Sequence, residues 1–334
     1  LPECAVGFGG SWAQAAQLFQ LFGEYALPLP IGETILARHY MQQAQSNTPL
    51  LADETLTPAS PLSIAHCNKA TFTRSSNGYL FSGSVKQVAW WSPTDVIVSA
   101  TSNGEHLLAL LHREQLTGGI TCKIARYNNT AGEPRARLNC HRLPIAGLWR
   151  LPTAVNLETA GALLRSAQMS GAMQTVLTRT INYALERQQF GRAIGKFQVI
   201  QHDLARLAEQ AAAAHCASLN AARAVDTEGS PENAEFEIAA EKLRANMAVS
   251  STTSIAHQVH GAIGFTIEHP LHRYSQRLFA WRSEFGNDRQ WAAKLGDTIC
   301  GLSGDQLWQF LSERSDRQVA GAQRSDVDSG TTAT

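Results

Sequence analysis

The stretch Leu185–Gln201, LERQQFGRAIGKFQVIQ, decides how the second half of the chain is organised. Read as a helix, it spaces its apolar residues by three and four positions, which predicts an apolar seam facing a core. Two glycines, Gly191 and Gly195, interrupt that seam. Glycine is costly inside a helix, so this pair beside Arg187 predicts a close backbone approach or a junction between helices. The plainer interpretation is a helix–turn–helix corner with a solvated arginine.

Composition and charge exclude several classes of protein. The chain has 334 residues, of which 28 are Lys or Arg and 28 are Asp or Glu, so the formal net charge is zero. This balance argues against nucleic acid as a partner, because phosphate binding needs a basic surplus. A nearly neutral surface instead favours a homo- or hetero-oligomer. The sequence predicts neither a membrane-spanning helix, since no apolar run is long enough, nor a secretory leader.

The cysteines are scattered along the chain. Six are present and none forms a C-x-x-C pair, so neither a zinc site nor a disulfide framework is expected. Reduced thiols in a cytoplasmic protein are the simpler interpretation, and no metal is predicted.

Changes in hydrophobic period divide the chain into four parts. Helical spacing predicts an N-terminal helical domain over residues 1–57, with its second helix starting between Gly32 and Thr34, and a loop over residues 46–60. Alternating segments predict a central β-domain over residues 58–150. Helical spacing then returns for a C-terminal four-helix bundle over residues 151–313. The remaining residues, 314–334, are rich in Ser, Thr, Asp and Gly, which predicts a disordered tail.

Turn and helix signals locate individual elements within these parts. Ser-Asn-Gly before Tyr79 and the pair Asn103-Gly104 each predict a hairpin, and several short strands surround them. The bundle helices are predicted from Leu157 to Arg187, from Gly195 to Asp226, from about Glu232, and after the glycines of the segment 261–264. The predicted fold class is therefore α+β, with helices, a small β-domain and a helical bundle in that order.

Two strings in the bundle resemble motifs of the acyl-CoA dehydrogenases. The first is RQQFG at 187–191 followed by FQVIQH at 197–202, and the second is QVHGAIGFT at 258–266, which closes with PLHR at 270–273. The family's order of α-domain, β-domain and α-bundle is similar to the order predicted here. The resemblance covers nearly the whole chain, although it implies a shortened N-terminus.

The resemblance implies that FAD lies at a subunit interface and that each subunit completes its neighbour's site. The positions implied to contact FAD are Arg187, Phe190, Gln198, Gln258, Gly261 and Ala262. A guanidinium such as that of Arg187 suits the pyrophosphate, because it makes bidentate, charge-assisted hydrogen bonds. Gly261 would let the backbone approach the adenine half, and Ala262 stands where the family usually has a second glycine. Without the resemblance, Gln258 and Gly261 predict an ordinary helix end with a capping glycine.

The implied reaction is α,β-dehydrogenation of an acyl-CoA thioester in lipid metabolism, with electrons passed to an electron-transferring flavoprotein. A carboxylate removes the α-proton, which requires a polarised thioester and a base whose pKa desolvation raises. Alignment of the stretch WRSEFGND on Gly286 gives Phe285 at the family's usual glutamate position. Glu284, one residue earlier, is the predicted base, and its alternative role is a solvated partner of Arg282 or Arg289.

Two further carboxylates compete with Glu284 for that role. Some family members carry the base on the first bundle helix, where this chain has Gly161, so Glu158 would have to replace it. Glu268 is a lesser candidate. Small residues such as Ala167, Ser170 and Gly171 would leave room for a bulky acyl group.

The β-domain departs from the family pattern. The segment SIAHCN at 63–68 replaces the family's Thr-Glu-Pro motif, and Ala89 stands at the threonine that bonds the flavin ring. Trp90 or Trp91 would stack over the flavin or lie in the core. The resemblance therefore leaves two hypotheses, a complete dehydrogenase or a non-catalytic half-site subunit of a heteromeric dehydrogenase. Flavin hydroxylases and oxidases on the same fold are further rivals.

Overall fold

The fold combines two N-terminal helices, two β-sheets and a C-terminal helical array. The computed structural model describes residues 9–45, 49–51, 60–91, 94–117 and 120–314. The helices are α1 (Trp12–Glu24), α2 (Ile31–Gln45), α3 (Arg113–Thr117), α4 (Leu157–Glu186), α5 (Gln198–Glu228), α6 (Glu235–His260), α7 (Leu271–Trp281) and α8 (Asp288–Cys300). The strands are β1 (Leu62–Cys67), β2 (Ala70–Ser75), β3 (Gly78–Ala89), β4 (Asp95–Ser102), β5 (Glu105–Leu111), β6 (Cys122–Asn128), β7 (Pro134–Pro144), β8 (Gly147–Leu151), β9 (Gln188–Gln189) and β10 (Arg192–Ala193).

The predicted fold class is confirmed, with helices, β-domain and helical domain in the expected order. Residues 304–314 add a helical segment after α8. The predicted tail, apart from residue 314, and most of the predicted loop at 46–60 lie outside the described residues. Among the described residues, no helix is both long and apolar enough to cross a bilayer. Nor do they contain a cluster of three side chains that would hold a metal ion.

The β-domain consists of two four-stranded sheets. The first has the order β1-β4-β5-β8, with β1 parallel to β4, and the second has the order β2-β3-β7-β6. Both predicted hairpins form. At the second, Asn103 and Gly104 have φ of 51° and 78°, the left-handed conformation that a two-residue hairpin turn requires. Apolar residues of both sheets, such as Phe81, Val98 and Leu138, are buried between them and form one core cluster.

The C-terminal helices follow the predicted order, with α8 added to the four-helix bundle. Helices α4, α5 and α6 pack on one another through small and apolar side chains such as Ala172, Ala211 and Val249. The N-terminal helices belong to another core cluster, together with the first part of α4, the last part of α5 and strands of the first sheet. Helix α2 begins at Ile31, ahead of the predicted start. Thr34 does not cap it, because its hydroxyl exchanges hydrogen bonds of 2.9 and 3.1 Å with the backbone of Leu62.

Helix α1 crosses α4 at a distance that only glycine allows. A Cβ on Gly171 would lie 1.9 Å from the carbonyl oxygen of Gln20, and a Cβ on Gly23 would lie 1.9 Å from that of Gln168. The two backbones therefore touch at reciprocal glycines. This corrects one expectation, since the space beside Gly171 is filled by α1 and is not open to an acyl chain.

His39 is buried where α2 meets α1. Its ring packs edge-on against Trp12 and Tyr40, with centroid distances of 5.0 and 5.2 Å, and one ring nitrogen is 3.1 Å from the side-chain amide of Gln43. Burial removes water from the ring and lowers the pKa of His39 from 6.5 to about 4. The folded protein therefore holds this imidazole neutral at pH values where the unfolded chain protonates it.

Acidification should destabilise the protein through His39. Below pH 6.5 the unfolded state binds a proton that the folded state rejects until about pH 4, so stability falls as the pH falls through this window. For an unfolded pKa near 6.5, the loss at pH 5.5 is about 1.4 kcal/mol. Urea unfolding at pH 7.5 and 5.5 measures it. His39→Gln should remove that part of the pH dependence, whereas the same change at the exposed His215 should not. An unchanged pH dependence in His39→Gln would contradict a buried neutral ring.

Candidate functional site

The stretch around Arg187 forms a tight ribbon between two helices. Helix α4 ends at Glu186, strands β9 and β10 pair, and a 3-10 turn at Ile194–Lys196 leads into α5. Phe190 and Gly191 have φ of 54° and 79°, so they form the two-residue turn of this hairpin. The predicted helical seam is therefore wrong here, because a helix cannot contain two consecutive left-handed residues. The predicted helix junction is correct.

The second glycine of this stretch marks a close backbone approach, as predicted. A Cβ on Gly195 would lie 3.1 Å from the carbonyl oxygen of Ala184 in the last turn of α4. The ribbon is thereby held against the end of α4. Arg187, Phe190 and Gln198 are all exposed, and the ring of Phe190 at the tip of the ribbon is 93% exposed.

The second motif lies at the same end of the bundle. The ring of His260, in the last turn of α6, stacks on Tyr183 of α4 with 4.5 Å between ring centroids. The motif residues beside it, Gln258, Gly261 and Ala262, are all exposed. Gly261 ends α6 with φ of 63° and ψ of −145°, so it caps the helix as the plain interpretation predicted. The fold therefore places both motifs at one end of the bundle, and their exposed residues are here called the FAD-motif surface: Arg187, Phe190, Gln198, Gln258, Gly261 and Ala262.

A separate cavity lies between the β-domain and the bundle. Its volume is about 260 Å³, and its walls include Gln87 and Ala89 of β3, the turn between β6 and β7, and Glu284 and Phe285 after α7. The volume is slightly below the usual range for small-molecule pockets. None of the residues of the FAD-motif surface lines this cavity. The structure thus brings Glu284 to Ala89, and it places the predicted FAD contacts elsewhere.

Glu284 belongs to a continuous row of ion pairs, here called the ion-pair chain. Its members, in order of contact, are Glu33, Arg165, Glu284, Arg135, Glu133 and Arg277, with successive N–O distances of 2.7, 2.9, 2.8, 2.8 and 3.0 Å. Each member is at most 8% exposed. Three acids and three arginines alternate, so the chain is neutral overall. It connects α2, α4, β7 and α7, and therefore joins the three parts of the fold.

The partners of Glu284 determine its protonation. Burial alone would raise the pKa of Glu284, but the positive charges of Arg165 and Arg135 outweigh it and hold that pKa below the ordinary value. The expected partners, Arg282 and Arg289, are not its partners, and Arg282 instead pairs with Asp288. The role of Glu284 as base stays a prediction, and its surroundings weaken the carboxylate as a proton acceptor.

The turn between β6 and β7 closes the β-domain onto α7 beside this carboxylate. Asn129 donates a 3.1 Å hydrogen bond from its side-chain amide to Glu284, and the hydroxyl of Thr130 donates a 3.0 Å bond to the carbonyl oxygen of Gln276. Arg135 also lies over the ring of Trp90, 5.4 Å from its centroid. Trp90 is 8% exposed, which agrees with the alternative that it belongs to the core.

The two positions that the resemblance aligns with the family's base, Phe285 and Gly161, lie against each other. A Cβ on Gly161 would lie 2.3 Å from the ring of Phe285, so that ring fills the space beside the glycine. Phe285 and Gly286 have φ of 52° and 93°, and the indole of Trp291 donates a 3.0 Å hydrogen bond to the Phe285 carbonyl oxygen. The ring is thereby held in place, and neither position has a carboxylate.

The two lesser candidates for the base are not on the cavity wall. Glu158 lies in the first turn of α4, where its charge partly offsets the loss of water that lowers the pKa of His66. Glu268 is exposed. Neither belongs to the described residues that line the cavity. Glu284 is the carboxylate on that wall.

Sequence reasoning missed the ion-pair chain. Its members lie far apart in the sequence, and a list of motifs does not connect them. One local signal was present, since Arg165 interrupts the apolar residues of a helix rich in Ala, Leu and Met. A charge on an otherwise buried helix indicates a buried partner.

Comparison with known proteins agrees with this architecture. Residues 155–288 match the family described as "Acyl-CoA dehydrogenase, C-terminal domain". The acyl-CoA dehydrogenase IpdE2 of Mycobacterium tuberculosis is 28% identical over 279 residues, which are 83% of this chain and 74% of that protein.

Solved structures give the same fold. The ChsE4-ChsE5 complex from Mycobacterium tuberculosis superposes with a TM-score of 0.74 at 19% identity, covering 89% of this chain and 82% of that one. PigA with FAD and proline superposes with a TM-score of 0.71 at 16% identity, covering 88% and 84%. Together, the matched domain and the two motifs at one end of the bundle lead to one conclusion: the bundle of this chain, residues 155–288, belongs to the acyl-CoA dehydrogenase family, and the chain around it has the fold of these solved structures.

Proposed function

We propose that this chain is a half-site subunit of a heteromeric, FAD-dependent acyl-CoA dehydrogenase. In this assembly the FAD-motif surface completes a flavin site whose ring lies in a partner subunit. The partner, a second chain of the same family, supplies the carboxylate that removes the α-proton of the acyl-CoA. The ChsE4-ChsE5 complex, by its name an assembly of two different chains, has the same fold.

The observation that carries the proposal is that the positions aligned with the family's catalytic base have no carboxylate. Phe285 and Gly161 occupy them and contact each other, and the carboxylate on the cavity wall is held by two arginines. Removal of a weakly acidic α-proton needs a carboxylate whose pKa is raised by a dry pocket. The pKa of Glu284 is lowered instead. Each pKa unit of lowering weakens the binding of a proton to the carboxylate by about 1.4 kcal/mol.

The residues present fit one half of an FAD site better than a whole one. When bound, FAD supplies the hydride acceptor. Arg187, Gln198 and Gln258 present a guanidinium and two amides at one exposed end of the bundle, a donor set suited to a pyrophosphate and a nucleotide. At the chain's own cleft, the side chain of Ala89 has no hydroxyl, and its carbonyl oxygen already accepts a 2.6 Å hydrogen bond from Ser63.

Expression with and without a partner tests the proposal. The chain purified alone should be colourless, and its complex with a second acyl-CoA dehydrogenase-like chain should show the visible absorption of bound flavin. The complex should bleach when an acyl-CoA is added. A yellow protein that bleaches with acyl-CoA in the absence of any partner would overturn the half-site proposal.

Replacing Arg187 should weaken FAD binding in that complex. Loss of a charge-assisted hydrogen bond typically costs about 1.5–3 kcal/mol, so Arg187→Ala should weaken FAD binding by about 10- to 100-fold. Flavin content after dialysis and titration with FAD measure this. Arg206→Ala is the matched control, because Arg206 is an exposed arginine on α5 that pairs with Asp203 at 3.7 Å. Equal FAD affinity in the two variants would remove Arg187 from the flavin site.

A second candidate is a complete dehydrogenase that acts as a homo-oligomer, uses Glu284 as base and passes electrons to an electron-transferring flavoprotein. One observation favours it, since Glu284 lines the same cavity as Ala89 and Gln87. In that case Glu284→Gln abolishes bleaching by acyl-CoA while FAD stays bound.

A further inference from the structure

Two cysteines face each other across neighbouring strands of the second sheet. Cys122, the first residue of β6, is paired in register with Cys140 of β7, and their sulfur atoms are 2.7 Å apart. Both are buried, with exposures of 8% and 4%. The two side chains are 18 positions apart in the sequence and meet because their strands form one hairpin.

The local hydrogen bonding shows which kind of cross-strand pair this is. In the adjacent pair, the backbone N–H of His141 donates a 2.7 Å bond to the carbonyl oxygen of Thr121. Hydrogen-bonded and non-hydrogen-bonded pairs alternate along antiparallel strands, so Cys122 and Cys140 form a non-hydrogen-bonded pair. The Cα atoms of such a pair are about 4.5 Å apart, within the range that a disulfide spans.

A third thiol lies close to this pair. Gly83 is paired with Cys140, and a Cβ on Gly83 would lie 2.8 Å from the sulfur of Cys67. Burial raises the pKa of the Cys67 thiol, which leaves it protonated and poorly reactive. The hydrogen bond between the facing thiols acts oppositely on its two members, since it lowers the pKa of Cys122 and raises that of Cys140. Cys122 is also the more exposed of the two, at 8% against 4%, so it is the sulfur that a peroxide reaches first.

We propose that Cys122 and Cys140 are a site of reversible oxidation, at which a peroxide converts the two thiols into a disulfide across the β6–β7 hairpin. The Cys122 thiolate attacks one peroxide oxygen and becomes a sulfenic acid, and hydrogen peroxide releases its other oxygen as water. The Cys140 thiol then displaces the sulfenic oxygen, which leaves as a second water when the S–S bond forms. Overall the two thiols lose two electrons and two protons, and one peroxide is reduced to two waters.

The hairpin gives this oxidation a structural consequence. Strand β6 is an edge strand of the second sheet and is held to the sheet through β7. The turn that joins the two strands carries Asn129 and Thr130, which bind the bundle beside the cavity. A disulfide at the far end of the hairpin would tether β6 covalently, and amide hydrogen exchange of β6 in the folded protein should become slower.

Peptide mapping of the full-length protein tests the proposal. Folded protein is treated with hydrogen peroxide, denatured in N-ethylmaleimide and digested with trypsin without reduction. The digest separates Cys122, in residues 114–123, from Cys140, in residues 138–142. We expect both peptides to lose maleimide labelling together and to appear as one linked species, two hydrogen atoms lighter than their sum. A thiol reductant should restore labelling.

Two results would overturn the proposal. One is full maleimide labelling of both cysteines at peroxide concentrations that already oxidise the exposed Cys216 and Cys300. The other is a link from Cys140 to Cys67. A Cys140→Ser variant extends the test, because its unpaired Cys122 should accumulate a sulfenic acid that dimedone captures. The wild-type map decides the question if that variant fails to fold.

Discussion

Replacing Glu284 with glutamine is expected to lower the free energy of unfolding by about 3–5 kcal/mol, the usual cost of removing one partner from a buried ion pair. The carboxylate binds Arg135 and Arg165 at 2.8 and 2.9 Å, and all three side chains are nearly inaccessible to water. Glutamine has nearly the same shape but no charge. The two buried guanidinium groups therefore lose the carboxylate that both of them bind. Urea unfolding at pH 7.5 measures the loss.

The same variant separates the two candidate functions. Glu284→Gln loses stability under both, because the ion pairs are the same, but under the half-site proposal the folded complex still bleaches with acyl-CoA. Under the complete-dehydrogenase alternative, Glu284→Gln additionally stops the bleaching of bound FAD by acyl-CoA. Glu209→Gln is the matched control, because it makes the same chemical change on the exposed surface of α5. Equal unfolding free energies for both variants would contradict the ion-pair chain.

Replacing Gly171 with alanine is expected to destabilise the protein by about 3 kcal/mol or more, beyond the typical cost of overpacking. The added Cβ would lie 1.9 Å from the carbonyl oxygen of Gln20, and no rotamer change relieves a contact with backbone. Helix α1 must therefore move away from α4. Urea unfolding gives the magnitude, and faster amide hydrogen exchange in α1 should identify the displaced element.

A second glycine supplies a control in which alanine should raise the free energy of unfolding instead of lowering it. Gly296 lies inside α8, and no atom lies within 4 Å of a Cβ placed on it. Alanine is a better helix former than glycine by about 1 kcal/mol, so Gly296→Ala should stabilise the protein. If Gly171→Ala also stabilises the protein, the reciprocal glycine contact between α1 and α4 is disproved.

The sequence predicted elements whose cause is local. Asn103-Gly104 produced a hairpin because both residues adopt left-handed backbone angles at little cost, and the return of helical spacing after residue 151 marked the bundle. The helix prediction between Leu185 and Phe197 failed for a local reason as well. Phe190 adopts a left-handed conformation, which no propensity predicts for a phenylalanine, beside Gly191, which takes it readily.

In the candidate site, too, some features could be predicted from the sequence and others could not. The resemblance to a family implied that the two motifs act together, and the structure places them at the same end because neighbouring antiparallel helices return there. The partners of Glu284 could not be predicted, since Arg135 precedes it by 149 positions and lies on a different domain. Sequence distance contains no information about which charges share a buried space.

The sequence by itself therefore determined the order of helices and strands, and its two motifs supplied the resemblance to the acyl-CoA dehydrogenases. These follow from backbone preferences, hydrophobic period and short motifs, all of which act over a few residues. Tertiary structure alone decided that Glu284 is neutralised by two arginines, that Phe285 fills the space at Gly161, and that Cys122 meets Cys140. Each of these depends on packing between segments distant in the chain, because burial and proximity set the energy of a charge, a ring or a thiol.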